Sequence, residues 1–452
     1  MDLDELRERF DTHHIHRVKV GGFDIDCVLR GKYLSLDKFW SVAESGFGFC
    51  DVIFGWDIGD VCYDNSQLTG AHSGYPDTHA RIDLDSFRVL PSEPNTAGFL
   101  LDFRAPDGKA HPACPRSLLK RIVARAEASG FVPMMGAEFE FWVFQETPES
   151  LRDKHYRDLR PISPGMFGYS WLRTAQHADF VHALLGACER FDIDVEGFHT
   201  ETGPGVYEAA LHYAPAVRAA DQAALFKTLT KEVATAHGLV VTFMAKWHAD
   251  LPGSSGHLHQ SLWDSTGHKN LLASAKQPHG LSDLGRHYLG GLVSTLPELT
   301  ALYAPNVNSY KRYVPGVWAP LTASWGVENR TAAVRHIGGD GGASTRFELR
   351  QTAADINPYI AMATCLGAGL HGIDHAIEPP APFHGDASAD RTGKPLPRDL
   401  ASAALLLRES EVARAILGEP FVDHYARTRE WEVRQFAKAV SDWELARYFE
   451  SV

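Results

Sequence analysis

The sequence predicts an α+β fold, and three observations carry that prediction. Several short segments place polar residues at period two, as half-buried strands do. Other segments carry apolar residues at helical spacing. The clearest is a stripe of Leu118, Leu119, Ile122, Val123 and Ala126, which Pro115 opens and Gly130 stops. From there to the end the two kinds of segment alternate, which is α+β in character.

Taken in order, residues 23–29 and 52–54 are strand-like and 36–44 is helical. Pro106, Asp107, Gly108 and Pro112 make 104–115 the linker, which divides a small domain, 1–108, from a large one, 109–452. Helices are expected over 175–190, 215–237, 281–296 and 358–375. Ser441 and Glu444 stand at capping-box spacing before a last helix. Two long loops remain, 200–205 and 337–345. Gly338, Gly339, Gly341 and Gly342 predict that the second is very flexible.

The chain has 452 residues, 44% hydrophobic and 22% charged, the balance of a soluble globular protein. That excludes disorder, collagen-like repeats and coiled coil as the main state. Its 44 basic and 57 acidic residues leave a formal charge of −13. So acidic a chain is a poor partner for a phosphate backbone, which argues against nucleic acid. Local basic pockets for a nucleotide stay possible. No stretch reaches the ~18 consecutive apolar residues of a membrane span. Residues 1–12 are too charged for a signal peptide. The six cysteines, Cys27, Cys50, Cys62, Cys114, Cys188 and Cys365, form no C-x-x-C pair. They read as reduced thiols of a cytoplasmic protein rather than as a disulfide framework.

The chemistry is written in the strands. Gly136-Ala137-Glu138-Phe139-Glu140-Phe141 puts two carboxylates on one face and phenylalanines on the other. Gly256-His257-Leu258-His259 aligns two imidazoles. Arg346-Phe347-Glu348-Leu349-Arg350 aligns three charges. Val206-Tyr207-Glu208-Ala209 follows a segment carrying Glu196, His199 and Glu201. Any one of these could be an ordinary solvated face. Four on one sheet would crowd carboxylates that repel one another unless cations lie between them. Oxygen donors with an occasional imidazole suit Mg²⁺ or Mn²⁺ rather than zinc. Arginines on the same face suit phosphate and carboxylate, so the set points to phosphoryl transfer from a nucleotide. There is no P-loop, no strand–G-x-G-x-x-G–helix fingerprint and no H-E-x-x-H. His199-Thr200-Glu201 is half of a zinc deaminase signature, but no P-C-x-x-C follows it.

Seven motifs in order resemble the bacterial type I glutamine synthetases. They are residues 136–141, 201–208, 253–261, 308–320, 329–335 and 346–350, and the triplet Asn357-Pro358-Tyr359. The likeness runs from Asp57 to Asp442-Trp443-Glu444. It implies a small N-terminal β-grasp domain and a large C-terminal catalytic domain with an antiparallel sheet and flanking helices. It also implies a homo-oligomer of two stacked hexameric rings. In that family ATP phosphorylates glutamate and an amine displaces the phosphate from γ-glutamyl phosphate. By position, Glu140, Glu201 and Glu208 resemble the ligands of a first metal ion, and Glu138, His257 and Glu348 those of a second. Glu196, His199, His259, Arg330, Arg335 and Arg346 resemble the ATP contacts. Arg312, Arg350 and Gly253 resemble the set that holds glutamate. Asp57 resembles the aspartate that a neighbouring subunit lends to the amine. Arg330 and Glu138 are expected to act with Asp57 in catalysis.

The departures cluster where the family handles ammonia. Its flap motif V-P-G-x-E-A-P is here Val314-Pro315-Gly316-Val317-Trp318-Ala319-Pro320, so Trp318 replaces the glutamate that closes over ammonium. Asp60 stands where a serine follows the aspartate, Val206 replaces a glutamine, and Pro252 an asparagine. A large aromatic suits an amine with an organic tail. The expected activity is therefore ligation of glutamate to a polyamine, alkylamine or aromatic amine, with Asp57, Asp60 and Trp318 around it. An ammonia-dependent glutamine synthetase and a non-catalytic relative are the alternatives. The second is disfavoured, because an idle site has no reason to keep mutually repelling carboxylates.

Overall fold

Five strands of the first hundred residues form a mixed sheet in the order β2-β1-β5-β4-β3. They are β1 (Arg17–Phe23), β2 (Leu29–Leu34), β3 (Phe47–Cys50), β4 (Asp77–Val89) and β5 (Thr96–Arg104). β1 and β5 run parallel, and the other pairs are antiparallel. The helices Leu3–Thr12 and Leu36–Val42 bury Leu6, Phe10, Phe39 and Val42. Phe39 stacks on both Phe10 and Phe99, with ring centroids 5.4 and 5.0 Å away. This is the small sheet domain the resemblance implies. In a computed structural model of the protein, residues 1–338 and 341–452 are described. Gly339, one of the four glycines behind the flexible-loop expectation, lies outside the described residues.

Residues 52–54 are not a strand. They belong to a 3-10 turn, Asp51–Phe54. Ile53 and Phe54 are buried, and the Phe54 ring packs edge-on to Phe103 at 5.3 Å and stacks on His111 at 4.6 Å. A three-residue apolar run plugs a core as readily as it extends a sheet, and periodicity cannot separate the two.

A second sheet of nine strands carries the larger part of the chain. Its strands are β6 (Phe131–Phe144), β7 (Val195–Thr200), β8 (Val206–Leu211), β9 (Ala214–Pro215), β10 (Val240–Thr242), β11 (Leu258–Asp264), β12 (Trp325–Val327), β13 (Val334–Ile337) and β14 (Arg346–Leu349). The path is β12-β13-β14-β11-β6-β8-β7, with β9 and β10 pairing on β6. All these pairs are antiparallel except β12 with β13. One face of β6 buries Phe139, Phe141 and Val143. The Phe141 ring packs on Phe226, in the helix Ala216–Ala236, and on Phe243 at 6.0 and 5.5 Å.

The helices Asp283–Tyr303 and Pro358–Asp374 pack together behind this sheet. Their crossing needs small residues. A Cβ on Gly291 would lie 2.2 Å from the Ala368 carbonyl oxygen, and one on Gly372 2.1 Å from that of His287. The first of these helices does not stop at Leu296, the boundary that Pro297 suggests. It runs on through Pro297 to Tyr303, because Leu299, Leu302 and Tyr303 are buried and reward about two more turns. The helix expected over 175–190 is broken at His177 into Trp171–Gln176 and Ala178–Arg190.

The linker is short. β5 ends at Arg104 and a helix begins at Pro115. Charged groups then clamp the two sheets' layers. Buried Arg116 forks onto Asp221 with two bonds of 2.8 Å, and reaches Asp102 at 3.0 Å and Asp83 at 2.7 Å. The Tyr359 hydroxyl donates to Asp221 at 2.7 Å. Removing one partner of a buried ion cluster leaves uncompensated charge. Arg116→Ala should therefore destabilise the protein by about 3–5 kcal/mol in denaturant unfolding. No helix among the described residues is long and apolar enough to cross a membrane.

Candidate active site

The face of the second sheet opposite Phe139 and Phe141 gathers the polar residues singled out above. Strand register explains how. Across four strands Arg335 of β13 pairs with Glu348 of β14, Glu348 with His259 of β11, and His259 with Gly136 of β6. Two and four residues further along β6 come Glu138 and Glu140. Glu140 lies directly opposite Glu208 of β8, and Glu208 opposite His199 of β7. Side chains in register across neighbouring strands share a face. Two rows of ionisable groups thus meet at β6.

The first row is tied together closely. His257 Nδ1 lies 3.4 Å from Glu138 and 3.3 Å from Glu348, and His259 Nε2 lies 3.0 Å from Glu138. Glu348 is buried and also pairs with Arg335 at 3.1 Å and with Arg350. Burial, with Arg350 beside it, pushes the His257 imidazole down to about 4, so at neutral pH it stays uncharged. The second row has no such relief. Burial and the neighbouring Glu140, Glu138 and Glu201 push the Glu208 carboxyl up to about 9. Burial raises Glu140 too, although the Ser255 amide donates to it at 2.7 Å.

The donor set fits divalent cations. Ligand atoms of Glu138, His259 and Glu348 lie within 4.8 Å of one another. His199 Nε2 is buried without a hydrogen-bond partner, with the nearest Glu208 oxygen 3.7 Å away. Four or more carboxylates that repel one another, with imidazoles among them, are the donors a hard cation takes. His259, expected among the nucleotide contacts, stands within this cluster as well as beside Arg346, whose Nε reaches its Nδ1 at 3.3 Å.

An open cleft of ≈ 380 Å³ adjoins the cluster, with Glu138, Glu196, His259 and Arg346 among its lining. Tyr213 and Trp263 add ring faces to the same cleft. Arg312 is buried, donates to the Gln351 carbonyl at 2.9 Å, and packs so tightly on Gly253 that a Cβ there would lie 2.7 Å from its own Cβ. Arg350 donates to the Arg330 carbonyl at 2.8 Å, which ties the Arg330 turn to the cluster.

Three residues lie apart. Asp57 and Asp60 belong to the N-terminal segment before β4, and Asp57 contacts no residue of the sheet face among the described residues. Asp60, expected beside the amine, pairs with Arg30 at 2.7 Å, so its charge is already answered. Trp318 is 62% exposed in a turn, with φ of 57°, alongside exposed Val314 and Val317. Sequence reasoning misses the cleft's Tyr213 and Trp263, and also Tyr169. Tyr169 stacks on His199, with ring centroids 4.2 Å apart and planes 8° from parallel. It sits in an irregular loop, where no periodicity could mark it.

A sheet face that gathers carboxylates, imidazoles and arginines beside an open cleft has the donors that cations, phosphate and carboxylate take. The family description "Glutamine synthetase, catalytic domain" matches residues 112–448, and the chain belongs to that family. It is an ATP-dependent ligase that forms a carbon–nitrogen bond on glutamate. The chain is 46% identical over 439 residues to the type-1 glutamine synthetase 2 of Dictyostelium discoideum, covering 96% of this chain and 84% of that one. It is 36% identical to the glutamate–isopropylamine ligase of a Pseudomonas species, over 99% of this chain and 98% of the relative. The solved structure of a GmaS/ADP complex superposes with a TM-score of 0.85 at 27% identity, covering 99% of both chains.

Proposed function

We propose that the protein joins the γ-carboxylate of glutamate to a primary organic amine through γ-glutamyl phosphate. One observation carries this proposal. The residues suited to cation, phosphate and glutamate are all present, while an exposed indole, Trp318, stands at the flap position where the family keeps a glutamate. Full-length likeness to an isopropylamine ligase supports it. With Asp60 occupied by Arg30, nothing in that turn is left for a distal ammonium. Val314, Val317 and Trp318 suit a monoamine with an apolar tail better than a polyamine.

Glu140, Glu201 and Glu208 would hold one Mg²⁺ or Mn²⁺, and Glu138, Glu348 and the two histidines, His257 and His259, another. Bound there, the cations would supply Lewis-acid charge to the phosphate oxygens of ATP. Buried Arg312 and Arg350 fix the glutamate and aim its γ-carboxylate at the nucleotide. Glu196, His259 and Arg346 line the cleft that would take the nucleotide, and His199 and Arg335 join them by family position. Arg330 faces the charge that builds up on the transferring phosphoryl group. Asp57 of a neighbouring subunit, in a ring dodecamer, orients the amine and takes its proton before attack. Six free cysteines suit a reducing, cytoplasmic setting.

The second candidate is an ammonia-dependent glutamine synthetase, which the 46% identity to a relative of that name favours. A panel decides between them. ADP formation is measured with ATP, Mg²⁺ and glutamate against ammonium, short alkylamines, ethanolamine, putrescine and benzylamine. An organic monoamine should give a kcat/KM at least ~10²-fold above ammonium, the scale of one lost acid–base group. Ammonium as the best substrate of the panel would defeat the proposal.

A further inference from the structure

One helix, Glu419–Lys438, carries the segment that presents Asp57. Its residues His424, Arg427, Trp431 and Arg434 are spaced three, four and three apart, so they form one stripe. Each grips a different point. His424 Nδ1 lies 3.4 Å from the Ser66 hydroxyl, and the Asn65 amide donates to the Arg427 carbonyl at 2.9 Å. Arg434 Nη1 donates to Asp64 at 3.2 Å. The indole Nε1 of Trp431 donates to Asp57 Oδ2 at 2.8 Å.

The Asp57 carboxylate is thereby almost fully engaged. Its Oδ1 accepts from the amides of Gly59 and Val61 at 2.9 and 3.0 Å. Of roughly four lone-pair directions on a carboxylate, these two bonds and the indole take three. The remaining one is on Oδ2, and the indole sets its direction. The indole itself cannot turn. It is 6% exposed, edge-on to Tyr63 at 5.9 Å, with Arg434 and Lys438 over its ring at 5.4 and 5.9 Å. On the far side of the turn Arg30 bridges Asp60 at 2.7 Å and Asp24 at 2.9 Å.

We propose that Trp431 is a positioning residue for the amine step: its N–H leaves Asp57 a single acceptor direction and aims it at the incoming amine. This rests on Asp57 being the carboxylate that receives the amine. Amines with one free N–H vector toward Oδ2 are favoured by such a site over those that need both oxygens.

The test compares Trp431→Phe, Trp431→His and Asp57→Asn in the full-length enzyme, with the best amine of the panel. Phenylalanine keeps a ring against Tyr63 but removes the donor together with the indole's second ring. It should raise KM for the amine roughly tenfold to a hundredfold, the scale of a small misplacement. KM for ATP and glutamate should hold, while the melting temperature falls modestly because the buried ring is smaller. Histidine, which restores a ring N–H, should recover part of the loss. An unchanged amine KM in Trp431→Phe, with Asp57→Asn crippled, overturns the proposal and leaves Asp57 in its role. Unaltered amine kinetics in Asp57→Asn overturn both. Parallel changes in all three KM values would mark Trp431 as merely structural and also overturn the proposal.

Discussion

Glu140→Gln should abolish ligation and at the same time make the cation-free protein more stable. Glu140 faces Glu208 directly across the β6–β8 ladder; burial and Glu201 push Glu140 upward, and burial with Glu140, Glu138 and Glu201 pushes Glu208 upward. A carboxamide of the same shape ends that repulsion, so thermal unfolding without added cation should shift upward. The same change removes an anionic oxygen from the proposed cation site. Activity should fall at least ~10³-fold, the scale of losing a group that answers transition-state charge. Saturating Mg²⁺ at about 100 times its Kd stabilises a folded protein by ~2.7 kcal/mol. Wild type should show that gain and the variant much less. Glu348→Gln should behave oppositely in stability. Glu348 is buried between His257, Arg335 and Arg350, so its loss strands two guanidinium groups. A Glu140→Gln enzyme that keeps cation-dependent turnover would show that this face was wrongly assigned.

The contrast between these two glutamates also marks what is legible in the sequence. Alternation along 136–141 is a local signal, and by itself it puts Glu138 and Glu140 on one face. Their meeting with the His257, Glu208 and Glu348 segments is a condition on sheet order, which only long-range pairing can satisfy. The start of β6 at Phe131 is hidden. Phe131-Val132-Pro133-Met134-Met135 is apolar throughout, so it carries no period. Pro297 looks like a helix end for the local reason that it lacks an N–H, and tertiary burial of Leu299 and Leu302 outweighs that. Asp57 is legible through family likeness, but its partner is not. The Trp431 indole is 374 residues away along the chain. A helix stripe of histidine, arginine and tryptophan carries no pattern that names what it grips.

Arg330→Ala should cost ~10³–10⁵ in kcat, the range of a guanidinium that answers charge on a transferring phosphoryl group. The reason lies in how the arginines of this face are occupied. Arg335 is held by Glu328 at 2.5 Å and by Glu348. Arg350 is held by Glu348 and the Arg330 carbonyl. Arg346 leans on His259 and the Ser344 carbonyl. Arg312 is buried against Gln351. Arg330 alone in this set is exposed and, among the described residues, forms no ion pair. Its backbone is nonetheless fixed. The Arg350 guanidinium donates to its carbonyl, and Asn329 beside it caps the Thr331 amide at 2.9 Å. A free fork on a rigid turn costs little reorganisation when charge develops in front of it. Ground-state binding should depend on it less, so KM for ATP and glutamate should move only a few-fold. Melting temperature should hold, because an exposed side chain without partners contributes little to stability. Arg330→Lys should recover part of kcat, since it keeps the charge and loses the planar fork. Single-turnover phosphoryl transfer from ATP to glutamate isolates the step. An Arg330→Ala enzyme that transfers at the wild-type rate there, yet is slow overall, would move Arg330 from phosphoryl transfer to the later attack of the amine.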